Sequence, residues 1–375
     1  MIYLDYAATT PMSEDSLHVY SEVNRNFYGN SSSLHDIGSS ANIFLETCRS
    51  ELAKLFNGKE QGVYFTSGGS ESNILALQSL LLAHQHKGNH IITTNIEHSS
   101  ISNFLKKLES EGFDVTYLPV DELGKVNPIE VENAITDKTI LASIHYANSE
   151  MGVIQSIEEI GAILKKHNVL FHSDCVQTFG KIPIDVVTAN LDSISLSSHK
   201  IYGPKGVGAA YINPSVKWDP VFPGTSHENG FRPGTVNVPG IAAFISAASV
   251  MSVSMNENYQ HFLHLRNQLK DGLTSVSDRI EWIEHASDQL PHIVGLRFSG
   301  IEGQYTMLEF NRYDVAISTG SACSVGKQAP SKTMLALGKT PEEAKQFVRI
   351  SFGNTTTSSD ITKVISICKT ILQEV

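Results

Sequence analysis

Short apolar runs alternate with stretches of helical spacing through the first two thirds of the chain. "GVYFTSGG" is an apolar run closed by glycines, and "SESNILALQSLLLAHQHKG" follows it with Ile74, Leu77 and Leu81 on one face and Gly88 as a stop. "HIITT" predicts the next strand and "SSISNFLKKLESEG" the next helix. "DVTYLPV", "TILASIHY" and "VLFHSD" predict strands, with helices at Pro128–Ile135 and Ser156–His167 between them. "LDSISLSS" and "VGAAYI" add two more strands. β-Branched runs separated by helices imply a mostly parallel sheet with helices on both faces.

The pattern then changes. One long helical stretch is expected from about Val238 to Leu273, after which "HIVGLRFSG", "IEGQYTMLEFN", "VAISTGSA", "SKTMLALG" and "QFVRISFG" alternate in shorter pieces, closed by a helix from Ser358 to the C-terminus. The expected architecture is α/β. A large domain over 14–255 holds the mostly parallel sheet, and a smaller α+β domain is built from 1–13 and 256–375. No repeat, low-complexity tract or long linker separates them.

Composition adds exclusions. The 375 residues are 41% hydrophobic and 18% charged, as in ordinary globular proteins. A net charge of −11 argues against non-specific nucleic-acid binding, which needs a basic footprint. The start, MIYLDYAATTP, carries Asp5 early and no apolar signal region, and no stretch is long and apolar enough to span a bilayer. Cys48, Cys175, Cys323 and Cys368 lie far apart with no C-x-x-C pair, which argues against a disulfide framework or a structural zinc site. A cytoplasmic protein with free thiols is expected.

Polar clusters then fall where ligands bind in open α/β sheets, beyond the carboxyl ends of strands. In "TSGGSESN", Gly68 and Gly69 allow a tight turn and Ser70 lies at a helix N-terminus suited to phosphate, although a plain glycine turn with a serine cap reads the same. In "FHSDCVQ", Asp174 directly follows a strand and would need a cationic partner if buried, such as the ring nitrogen of pyridoxal phosphate; alone it equally fits a turn cap. In "SLSSHKIYGPKG", Lys200 follows another strand beside Ser197 and His199; a lysine in a dry pocket can form a Schiff base with an aldehyde, whereas most lysines are simply solvated. In chain order the three supply a phosphate cradle, an acid for a ring nitrogen and an amine for an aldehyde, the parts of a pyridoxal phosphate site. "STGSACSVGKQAPSKT", Ser318 to Thr333, places Cys323 in a polar loop with no apolar anchor.

With those motifs, "YLDYAATTP", "EHSS", "FRPGT" and "RISFG" make the chain resemble, over nearly its whole length, the NifS/IscS-like cysteine desulfurases of the class V aminotransferase superfamily, fold-type I. The resemblance implies that Lys200 carries pyridoxal 5'-phosphate as a Schiff base and that Asp174 pairs with its ring nitrogen. It further implies that Gln177 and Asn148 bond the ring's phenolic oxygen and that His98 stacks on the ring and moves protons. Ser70, Ser197, His199 and the Gly69 backbone would hold the phosphate. Thr235, in "RPGT", would reach the partner subunit's phosphate, making the enzyme a homodimer. Arg349 would clamp the substrate carboxylate as a bidentate pair. Cys323 would attack the sulfur of L-cysteine, leaving L-alanine and a persulfide for a sulfur-acceptor protein serving iron–sulfur cluster assembly or thiolation of tRNA or a cofactor. Lys327 and Lys332 are candidate cations to favour its thiolate, and Cys175 is expected to pack rather than react.

The chain departs from the family pattern in "GNSSSLH", which lacks the usual proline, and in "NSE", "SSHK" and "DCVQ". None of these removes a group the chemistry needs. A selenocysteine lyase, or another class V enzyme, is the alternative activity. A non-catalytic scaffold for sulfur acceptors is the alternative of another class.

Overall fold

The computed structural model describes residues 1–320 and 330–374. The chain order is β1 Ile2–Tyr3, α1 Glu14–Asn26, α2 Asp36–Lys54, β2 Val63–Thr66, α3 Gly69–His84, β3 His90–Thr94, α4 Ser99–Ser110 and β4 Asp114–Leu118. It continues with α5 Pro128–Ala134, β5 Thr139–Ser143, α6 Ile157–Lys166, β6 Leu170–Asp174, β7 Ser193–Ser197, β8 Gly208–Ile212, α7 Val238–Val253 and α8 Met255–Gly272. The last elements are β9 Ile280–Ile283, β10 Ile293–Phe298, α9 Gly303–Arg312, β11 Val315–Ala316, α10 Lys332–Ala336, α11 Pro341–Ala344, β12 Phe347–Ser351 and α12 Ser358–Glu374.

A seven-stranded sheet runs β2-β8-β7-β6-β5-β3-β4, with only β8 antiparallel to its neighbours. Its inner strands β3, β5, β7 and β8 are buried at every residue, which is why they read as unbroken apolar or small runs rather than as alternation. Helices pack on both faces, and this is the α/β architecture expected. A second, antiparallel sheet β12-β10-β9 packs against α8 and α12 through Leu4, Phe262, Leu265, Leu296, Ile350 and Ile367. The N-terminus belongs with this sheet: β1 pairs with β11, and Asp5 bridges Ser351.

Two expectations need correction. The single helix over 238–273 is two helices bent by 69° at Ser254. Ser254 Oγ donates back to the Val250 carbonyl at 2.9 Å, and the two halves bury against different cores: α7 packs on α1 and α2, while α8 packs on α12. The apolar periodicity is continuous across the bend because each half is amphipathic or buried in its own surroundings. "IEGQYTMLEFN" and "SKTMLALG" hold helices α9 and α10; Ser331 caps α10 through the Met334 N–H (3.1 Å). Helix α3 ends at His84 rather than near Gly88. Among the described residues no single helix is long and apolar enough to cross a membrane.

Candidate active site

Every parallel strand of the large sheet except its edge strand β4 delivers polar residues at the same edge. β2 ends at Thr66, and Gly68 (φ +151°) turns the chain into α3, whose first turn carries Gly69 and Ser70. A Cβ at Gly69 would lie 2.6 Å from Val176 Cγ2, so only glycine lets α3 start this close to the β6 turn. β3 leads to His98, β5 to His145 and Asn148, β6 ends on Asp174, and β7 ends on Ser197, just before His199 and Lys200.

These strand ends surround a cavity of about 260 Å³. Gly69, Ser70, His98, Asn148 and Asp174 line it, together with Gln177, Ser197, His199, Lys200 and Arg349. Of the residues singled out from sequence, Thr235 is exposed and does not line this cavity, and Cys323, with Lys327, lies outside the described residues.

The Lys200 amine donates to the carbonyls of Ala7 (2.6 Å) and Ala8 (2.7 Å), so the N-terminal "YAATT" stretch forms the wall that orients it. Gln177 Nε2 shares the Ala7 carbonyl at 3.0 Å. Asp174 is 7% exposed and accepts from Asn73 Nδ2 at 2.7 Å and the Val176 N–H at 2.9 Å, neither of them a cation. Asn73 Oδ1 in turn accepts from His172 Nε2 at 3.2 Å, and its Nδ2 also donates to Ser100 Oγ. His98 caps α4: its Nδ1 accepts from the Ser100 N–H (3.2 Å), which puts the proton of the neutral ring on Nε2. His199 Nδ1 pairs with Thr9 Oγ1 at 3.1 Å; burial, then the positive Lys200, Lys205 and Lys181, push its pKa down to about 4.

Arg349, 2% exposed, reaches the site from β12. It donates to Asp5 Oδ1 (2.7 Å) and to the Ser149 carbonyl (2.8 Å). Its Nε is buried without a hydrogen-bond partner among the described residues, as are Ser197 Oγ, Gln177 Oε1 and His145 Nε2. Buried polar atoms left without partners are costly unless a ligand answers them. Those orphaned atoms, a buried carboxylate held by neutral donors and an oriented lysine fit a ligand with an anionic group, a protonated ring nitrogen and an aldehyde. Burial first, then Asp174, pushes the Cys175 thiol far up, and burial raises Cys48 and Cys368 to about 12, which suits packing rather than reaction.

Sequence reasoning passed over Asn73, His145, Ser149, and the Ala7 and Ala8 carbonyls. Asn73 had a usable signal, because it lies four residues after Gly69 on α3 and so shares its face. His145 forms a buried pair with Glu97 (3.1 Å); burial opposes its charge, but the carboxylate outweighs it and raises the pKa. Its only signal was its place just after β5.

Residues 2–364 match the model of the class V aminotransferases, and the chain belongs to that family. Within it the chain is 49% identical to the putative cysteine desulfurase NifS of Bacillus subtilis (strain 168), over 97% of this chain and 93% of that protein. Among solved structures it superposes on a NifS-like protein with a TM-score of 0.93 and 32% identity, covering all of both chains. It also matches SspA in complex with cysteine at a TM-score of 0.82 and 31% identity, over 94% of this chain and 99% of that one. The chain is a cysteine desulfurase of this pyridoxal phosphate-dependent family.

Proposed function

We propose that the protein is a cytoplasmic homodimer that converts L-cysteine to L-alanine and carries the sulfur as a persulfide on Cys323. The observation that carries this reading is the convergence of Lys200, Asp174 and Arg349 on one cavity, with Arg349 Nε buried and unanswered among the described residues. Bound in that cavity, pyridoxal phosphate would supply an aldehyde and an electron sink. Lys200 would hold it, with Asp174 against its ring nitrogen, Gln177 and Asn148 at its phenolic oxygen, and Gly69, Ser70, Ser197 and His199 at its phosphate. Thr235, exposed on this chain, would complete the phosphate site of the partner. Arg349 would fix the substrate carboxylate. Lys200 Nζ and His98 Nε2 would move the α-proton. The Cys323 thiolate would attack the substrate sulfur: an S–S bond forms, the Cβ–S bond breaks, its electron pair stays with carbon and a proton completes alanine. No outside oxidant or reductant is needed. The other three cysteines are buried with raised pKa values, which leaves Cys323 as the thiol suited to attack. An acceptor protein would then take the sulfur for iron–sulfur cluster assembly or for thiolation of tRNA or a cofactor.

The same reading divides the chain into a large cofactor-binding unit, 14–255, and a smaller one, 1–13 with 256–375, which presents Arg349 and the stretch holding Cys323.

The test is Cys323→Ala. It should keep the cofactor's absorbance near ~420 nm while losing persulfide and about 10²-fold or more of desulfuration. Full sulfide release from cysteine by that variant would overturn the mechanism and favour a lyase that does not use Cys323.

A further inference from the structure

Three consecutive residues after β5 reach three parts of the molecule. Asn148 lines the cavity. The Ser149 carbonyl accepts from Arg349 at 2.8 Å. Glu150 meets Ser331 and Gly320. Its side chain is buried, with the residue 6% exposed, and its Oε2 accepts from Ser331 Oγ at 2.6 Å.

Gly320 closes on the same carboxylate from another direction. A Cβ there would stand 3.0 Å from Glu150 Oε2, and φ is +101°, a conformation that favours glycine. The residues just before are tied to Arg349 by backbone bonds in both directions, Ser318 N–H to the Arg349 carbonyl (3.1 Å) and Arg349 N–H to the Ser318 carbonyl (2.7 Å). Ser331 in turn starts α10. The Arg349 backbone therefore holds Ser318 on one side and the Glu150 carboxylate holds Ser331 on the other, and in sequence these flank Cys323.

We propose that Glu150 is a positioning residue for sulfur transfer: it fastens the chain after Cys323 through Ser331 and packs against the Gly320 turn before it, on the same short stretch that presents Asn148 and grips Arg349. The proposal rests on Cys323 being the sulfur acceptor and adds what fixes the points from which that residue is reached. A buried carboxyl is costly unless well bonded. Burial raises the pKa of Glu150, against the lowering pull of Ser331, Arg349 and Thr333. An acid kept at such a place, shared by two distant segments, matters where reacting atoms must meet, because about 1 Å of misplacement can cost about 10²-fold in rate.

The experiment uses the holoenzyme. Glu150→Ala, Ser331→Ala, the double variant and Glu150→Gln are each mixed with L-cysteine for a single turnover. Persulfide on Cys323 is followed by quenching, alkylation and mass spectrometry. In parallel, the cofactor's absorbance change is titrated with L-cysteine to report substrate binding separately. Both alanine variants should form persulfide about 10- to 100-fold more slowly, with half-saturation by cysteine within about twofold of the parent. The double variant should be no slower than the slower single, since both remove one contact. Glu150→Gln should restore most of the rate, because its amide oxygen can accept from Ser331.

Unchanged persulfide formation in both alanine variants overturns the proposal. So does a fall in cysteine binding that matches the fall in rate. If Glu150→Ala does not fold, Ser331→Ala removes the same contact from the other side and decides the matter. Cys323→Ala run beside them separates the two failures: sulfide release at the parent rate overturns the role of Cys323 itself. Loss in Cys323→Ala with parent rates in the Glu150 and Ser331 variants overturns only the role of Glu150.

Discussion

The two walls of the cavity are built in different ways. The wall from the large sheet consists of strand ends, and each functional side chain sits within five residues of a buried strand: Asp174 is the last residue of β6, and Lys200 follows β7 by three. The opposite wall comes from distant stretches. Arg349 lies within β12, is paired by Asp5 near the N-terminus and by Ser149 from the large sheet's own loop, and adjoins 318–320. The first wall is rigid because the sheet is packed on both faces. The second is held by hydrogen bonds and ion pairs between segments far apart in the chain. Groups that hold a cofactor belong on the first. Groups that must meet a substrate and then pass an atom onward belong on the second.

The largest effect that could break this contrast comes from the first wall. Lys200→Ala should lose about 10³-fold or more of desulfuration and the absorbance of lysine-bound cofactor. Because the Ala7 and Ala8 carbonyls that receive the amine are main-chain atoms, the fold around them should persist, as a retained circular-dichroism spectrum would show. Substantial turnover in that variant would mean the strand-end wall does not carry the chemistry.

A smaller effect is expected on the second wall. Arg349→Lys keeps the charge but cannot reach Asp5, the Ser149 carbonyl and a substrate carboxylate together, since lysine lacks the planar fork. kcat/KM for cysteine should fall about 10- to 100-fold, mostly through KM, with the cofactor spectrum unchanged. Loss of the cofactor instead would make Arg349 part of the first wall.

The same contrast explains what could be read from sequence. Strand, turn and polar residue follow one another directly in "VYFTSGGS", "FHSDCVQ" and "SLSSHK", so local pattern locates the residues that the large sheet gathers. Asp5, Ser149 and Glu150 gave no such sign, because their partners lie 181 to 344 residues away and only the fold joins them. Continuous apolar periodicity likewise concealed the bend at Ser254, since helical spacing does not record which core each half faces. His172, on β6 beside Asn73, likewise has no local sign of its role: both ring nitrogens find neutral partners, Ser193 Oγ at 3.0 Å and Asn73 Oδ1 at 3.2 Å.

That histidine supplies the finest test of the packed wall. Burial alone lowers its pKa from 6.5 to about 3. The unfolded chain therefore binds a proton near pH 6.5 that the folded chain refuses until about pH 3. Its stabilising contribution is complete above pH 6.5 and is lost as pH falls through that window. Between pH 6.5 and 5 the loss is about 2 kcal/mol, at about 1.4 kcal/mol per unit. His172→Gln, which keeps polar partners for Ser193 and Asn73 but has no proton to gain, should lower stability at pH 7 yet flatten this slope. Urea midpoints at pH 7 and pH 5 measure it. A parent-like slope in the variant would mean that His172 charges inside the fold, and that the wall beneath Asp174 is wetter than its packing implies.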